Sequence, residues 1–151
     1  MTAKLSPAAE DRIHNVIAAG PFGAHVGMIV DLVEVDRAVL RMPEAAHTKN
    51  GLGIVHGGAT ATLLDTAATC AAWATPDATP TTRGTTVALT INYIGAGRAG
   101  DMIAEAVVIS RGGTLTIVDV VARDEDGRIV AKAQVTYKLD LARDRRSARR
   151  E

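Results

Sequence analysis

Residues 50–73, N-G-L-G-I-V-H-G-G-A-T-A-T-L-L-D-T-A-A-T-C-A-A-W, constrain this chain more than any other stretch. A glycine-rich loop enters a helix expected over about residues 57–74 and ended by Pro76-Asp77, and that helix carries one charge, Asp65. At about 100° per residue, Ala59, Leu63, Leu64, Ala67, Ala68, Cys70 and Ala71 cover more than half of its circumference. Thr62, Asp65, Thr66 and Thr69 share the remaining arc. A helix this apolar has to be enclosed, and its small side chains let a sheet approach closely.

The rest of the chain supplies that sheet. Ser6-Pro7 reads as an N-cap followed by proline in the first turn, with Ile13, Val16 and Ile17 at helical spacing, which predicts a short helix over residues 6–20 stopped by Gly20-Pro21. Residues 26–35 and 38–42 read as two strands joined near residues 34–37. After polar loops at 44–53 and 75–84 come four strand candidates, 85–94, 102–110, 115–122 and 129–139, with no helix signal between them. Their separators are Gly95 to Gly100, Arg111-Gly112-Gly113 and Asp126-Gly127, so they read as a meander. The expected class is α+β, an antiparallel sheet wrapped around a long central helix, in one domain over residues 1–140. Residues 141–151, which include A-R-D-R-R-S-A-R-R-E, are core-free and expected to be a disordered Arg-rich tail.

Composition removes several functions. Lys plus Arg and Asp plus Glu are equal at 17 each, so no global field favours nucleic acid or an anionic membrane, and aromatics at 3% leave little for base stacking. The longest apolar tract, broken by Asp65, falls short of the ~18 residues that suggest a membrane span. With no apolar run at its start, the chain is expected to be soluble and cytoplasmic. The lone Cys70 permits no intrachain disulfide and reads as a small buried hydrophobe. His14, His25, His47 and His56 lie on separate elements without i, i+4 pairing, so no metal site is expected.

What remains is His56-Gly57-Gly58 together with Asp65. Glycines at a helix start leave backbone N–H groups open to a ligand, and the helix dipole there favours developing negative charge, which describes an oxyanion site. Asp65 lies eight residues beyond Gly57, about 12 Å at ~1.5 Å per residue. One chain cannot bring both to one carbonyl. If they cooperate, the acid meets the glycine end of a second copy's helix, with the helices antiparallel in a symmetric dimer.

The N-G-x-x-x-x-H-G-G run, the small-residue helix with Asp65, the strand G-T-T-V-A-L-T-I-N-Y-I and the R-G-G-T-L hairpin resemble the PaaI-type hotdog-fold acyl-CoA thioesterases over about residues 10 to 140. That resemblance implies a hotdog subunit, a homodimer with a continuous sheet, often a homotetramer of two such dimers, and an acyl-CoA substrate with an aromatic or fatty acyl group. By position it implies Asp65 as general base or nucleophile, Gly57 as the backbone donor that polarises the thioester carbonyl, Asn50 and His56 as orienting residues, and Thr86 as the hydroxyl that positions water. It further implies coenzyme A contacts along Tyr93 to Arg98 and at Arg111, Gly112 and Gly113, although Gly95-Ala96-Gly97 replaces the more usual proline-containing turn and the Arg111 hairpin is short. No cofactor is expected, because coenzyme A is part of the substrate. Two other readings remain open: a hotdog enoyl-CoA hydratase or dehydratase using His56 and Asp65, and a non-catalytic acyl-CoA-binding module.

Overall fold

The structure, a computed structural model, describes residues 3–98 and 100–141. The Arg-rich run 142–151 therefore lies outside the described residues.

Six strands form one antiparallel sheet: β1 (Ile29–Glu34), β2 (Arg37–Met42), β3 (Arg83–Tyr93), β4 (Met102–Arg111), β5 (Leu115–Arg123) and β6 (Ile129–Asp140). The long helix, α3 (Gly57–Trp73), packs against β2, β4, β5 and β6, so the sheet wraps a central helix as expected, the hotdog architecture. The contact is made largely of alanines. Ala67, Ala68, Ala71 and Ala72 of the helix and Ala38, Ala104, Ala106 and Ala122 of the sheet are all fully buried. Small residues on both sides bring helix and sheet close, and the larger Leu63, Leu64, Leu40 and Met102 fill the space around them.

Three expectations need correction. The last four strands are not a simple meander: the sheet order is β1-β2-β4-β5-β6-β3, so β3 pairs with β6 and occupies an edge. Residues 94–98, rich in glycine like a hairpin, instead pass the start of α3, where the Val55 N–H donates to the Gly97 carbonyl at 3.0 Å. Alternation marks a strand but does not name its neighbour.

The N-terminal segment also differs. The helix begins as expected, α1 (Pro7–Asp11) capped by the Ser6 hydroxyl, and continues with π-type bonding over Arg12–Ala18. Gly20-Pro21 stops it, but Pro21 then takes the first position of a second short helix, α2 (Pro21–Val26), which Gly27 ends in the left-handed conformation at φ 74°. The first strand consequently starts at Ile29, three residues later than the hydrophobic pattern suggested.

Two β-bulges decide where site residues point. In β3 the register shifts at Val87, so Thr86 stands opposite Tyr137, and Leu89 opposite Val135, all on the helix side of the sheet. In β4 it shifts at Ile109, so Arg111 stands opposite the buried Thr116 on that same side. Each extra residue reverses the in-out alternation beyond it.

Candidate active site

The helix start is built by the loop before it. His56 has extended backbone (φ −64°, ψ 137°) and caps α3, its Nδ1 accepting the Gly58 N–H at 2.8 Å. That bond places the imidazole proton on Nε2. Asn50 shapes the loop, its side-chain oxygen accepting the Leu52 N–H at 2.9 Å. The Tyr93 hydroxyl, arriving from the end of β3, donates to the Gly57 carbonyl at 3.1 Å. Among the described residues the Gly57 N–H has no acceptor. It borders a concavity of about 320 Å³ lined by Asn50, Val55, Gly57, Thr60, Tyr93 and Gly97 among others. Sequence reasoning placed Asn50, His56 and Gly57 together, and the structure does so.

The acid sits two turns further along. The Thr86 hydroxyl donates to Asp65 Oδ1 at 2.7 Å, and the carboxylate is half-buried. Thr62 and Thr66, its neighbours on the open arc of α3, turn their hydroxyls back to the helix carbonyls of Gly58 and Thr62. Asp65 is thus held from β3 rather than by its own helix, and Oδ2 has no partner among the described residues. Gly57 and Asp65 stay on one helix about 12 Å apart, so a single chain does not bring them to one carbonyl.

Beneath the acid lies a pair that the sequence did not single out. Tyr137, the register partner of Thr86, is buried and accepts the Trp73 indole N–H at 2.9 Å. Burial raises the Tyr137 phenol above its ordinary value; the Trp73 bond opposes this and the Asp65 charge adds to it. The available signal was scarcity: the chain holds one Trp, two Tyr and one Phe, and three of these four make the Trp73–Tyr137 and Tyr93–Gly57 hydrogen bonds. Cys70, within the last turn of α3, is no rival nucleophile, since burial pushes its thiol up to about 12 and leaves it protonated at neutral pH.

The residues expected to contact coenzyme A are divided. Tyr93 and Arg98 lie near the helix start, both exposed. Gly112 and Gly113 are exposed at the other end of α3. The Arg111 guanidinium is engaged within the chain. Its Nε and Nη2 donate to Asp36 Oδ1 at 2.9 and 2.6 Å, and Nη1 donates to the Ala72 carbonyl at 3.0 Å, with a longer contact of Nη2 to Ala71. A cation there satisfies the last carbonyls of α3 and complements the helix dipole. Asp36, at φ 65° in the β1–β2 turn, also donates its N–H to the Ala74 carbonyl, so turn and helix end are tied together. Replacing Arg111 with alanine is expected to destabilise the fold by about 1–3 kcal/mol, discounted for the partial exposure of Asp36, with KM unchanged. Urea denaturation beside steady-state kinetics checks this; unchanged stability with a raised KM would return Arg111 to phosphate binding.

Among the described residues no group of three or more His, Cys, Asp or Glu could hold a metal ion, and no helix is long and apolar enough to cross a membrane. His25 and His47 approach each other, with ring centroids 5.2 Å apart.

A family model described as the thioesterase superfamily matches residues 52–131, which takes in the helix start, Asp65, Thr86 and most of the sheet. The chain belongs to the thioesterase superfamily. Acyl-coenzyme A thioesterase 13 of Homo sapiens is 34% identical over 98 residues, covering 64% of this chain and 67% of the relative. A thioesterase family protein from Silicibacter pomeroyi shares the fold with a TM-score of 0.80, at 24% identity over 87% of this chain and 98% of its own. A hypothetical thioesterase protein from Streptococcus pneumoniae, solved with coenzyme A, has a TM-score of 0.66 at 23% identity, covering 75% and 85%. This thioesterase superfamily member is a hotdog-fold thioester hydrolase.

Proposed function

We propose that the enzyme is a PaaI-type acyl-CoA thioesterase, releasing coenzyme A and a free acid from aromatic or medium- to long-chain acyl thioesters. The observation that carries this reading is the 2.7 Å bond from Thr86 to Asp65, which holds a half-buried carboxylate with one oxygen unpartnered. The acyl-CoA assignment draws on acyl-coenzyme A thioesterase 13 and on the thioesterase protein solved with coenzyme A.

The active site is completed by a second copy, with α3 antiparallel, so that the Gly57 N–H of one copy faces the Asp65 of the other. The unpaired edge of β3 is the strand through which two sheets can join. The thioester carbonyl oxygen accepts from the Gly57 N–H, with Asn50 and His56 holding the loop that presents it. As general base, Asp65 takes a proton from a water positioned by Thr86. The hydroxide adds to the carbonyl carbon, the oxyanion rests on the Gly57 N–H, and the C–S bond breaks as the thiolate recovers the proton. As nucleophile, Asp65 instead displaces the thiolate to form a mixed anhydride, which water then hydrolyses. A thiolate is a good leaving group, so either route needs only a weak base once an N–H donor is in place. Coenzyme A lies along Tyr93 and Arg98, with Gly112 and Gly113 open to close backbone approach.

The wild type is expected to release free thiol from an acyl-CoA panel of aromatic, medium and long acyl groups. Hydration of crotonyl-CoA without thiol release would favour the hydratase, and binding without turnover would favour the binding module. A single turnover in ¹⁸O-water that leaves label in Asp65 identifies the nucleophile route with water attacking the Asp65 carbon of the anhydride, and hydroxylamine trapping of the anhydride detects that route where water attacks the acyl carbon instead.

A further inference from the structure

Resting on the reading of the Gly57 N–H as carbonyl donor, the geometry points to Tyr93 as a positioning residue for that donor rather than solely a coenzyme A contact. The Gly57–Gly58 peptide is gripped at both polar ends by side chains from two different elements. Its carbonyl oxygen accepts the Tyr93 hydroxyl of β3 at 3.1 Å, and its N–H donates to His56 Nδ1 of the entry loop at 2.8 Å.

Two consequences follow from that grip. First, a Gly-Gly helix start would otherwise be the most easily frayed part of α3, because glycine restricts its own backbone least. Holding both ends of one peptide plane fixes the rotation of that plane. With it the frame of Gly57 is set, and so the direction of the Gly57 N–H that precedes it. Second, the grip selects the donor. The Gly58 N–H is occupied by His56, which leaves the Gly57 N–H as the one presented at the concavity. The Tyr93 ring lies alongside Gly57, where an added Cβ would meet it at 3.5 Å, in ordinary contact. The ring thus forms a wall beside the donor, and the hydroxyl fastens that wall to the helix. A donor fixed before substrate arrives needs no reorganisation as charge develops on the carbonyl oxygen.

The test compares wild type, Tyr93→Phe, Gly57→Pro and the double variant by thiol release from an acyl-CoA that the wild type hydrolyses. Tyr93 is 56% exposed and phenylalanine keeps its ring, so the variant is expected to fold normally. Tyr93→Phe is expected to lower kcat by roughly tenfold, because a donor left free to turn has to be reoriented as charge develops on the carbonyl oxygen, with KM within about twofold. In the Gly57→Pro background the same change is expected to lower kcat no further, because no N–H remains to be positioned. A raised KM with kcat intact would reduce Tyr93 to a coenzyme A contact, and an equal further loss in the double variant would show action by another route; either overturns the proposal. Tyr93→Phe at the wild-type rate with Gly57→Pro impaired overturns the positioning role alone. Gly57→Pro at the wild-type rate overturns both that role and the donor reading beneath it.

Discussion

Asp65→Asn is expected to lower kcat by about 10³-fold, within the range that general acid–base groups supply, with KM little changed. The substitution keeps the shape of the side chain and the oxygen that accepts from Thr86 at 2.7 Å, so the fold is expected to remain. What it removes is the negative charge and the ability to take a proton or attack a carbonyl. Thr86→Val, which deletes the hydroxyl at nearly constant volume, is expected to have a smaller effect of about tenfold, because it frees the carboxylate to rotate without removing it. Steady-state kinetics with unfolding midpoints for each variant decide the matter. A rate for Asp65→Asn within threefold of wild type would remove Asp65 from the chemistry.

The second large effect is expected from Gly57→Pro, a loss in kcat of about 10² to 10³, the usual consequence of deleting one oxyanion donor. The local backbone makes this a clean deletion. Gly57 is the first residue of α3, where proline is well accommodated and the N–H belongs to no helical bond. The preceding His56, at φ −64° and ψ 137°, already has the extended conformation that a residue before proline requires. A Cβ at this position meets the Tyr93 side chain first, at 3.5 Å, an ordinary contact. The helix therefore persists while one donor disappears.

These two variants together test the two-copy arrangement. In a hybrid of one Asp65→Asn chain and one Gly57→Pro chain, one site carries both defects and the other carries neither. Co-expressed or refolded mixtures are expected to recover up to about half of the wild-type activity per hybrid dimer, whereas each variant alone stays inactive. Mixtures that remain at the level of the separate variants, with hybrids demonstrated by differential tagging, would mean that the Gly57 and Asp65 half-sites do not meet across two chains.

Much of this site was readable from residue types and spacing because helix geometry is local. His56-Gly57-Gly58 at a helix start implies open N–H groups wherever the helix lies, and eight residues of rise separate Gly57 from Asp65 in any fold. The long helix and its alanine face were equally legible, since a stripe of small apolar residues has to be covered. So were the strands, most of whose ends fell within two residues of the observed ones. The short α2 was missed because a Gly-Pro pair both ends one helix and begins another, and six residues carry too little periodicity to show it.

The amino-acid sequence by itself thus determined the central helix, the sheet strands that enclose it and the spacing of Gly57 and Asp65 along it. Only the tertiary structure decided which strands are neighbours and which way Thr86, Arg111 and Tyr93 point. Strand order depends on contacts remote in sequence, which placed β3 beside β6 rather than β4. Side-chain direction along a strand has a period of two, so one extra residue reverses it. The bulge at Val87 turns Thr86 toward Asp65, and the bulge at Ile109 turns Arg111 inward to the end of α3. A one-residue register shift has no signature in alternation alone, because it is fixed by how the sheet must curve to close around the helix.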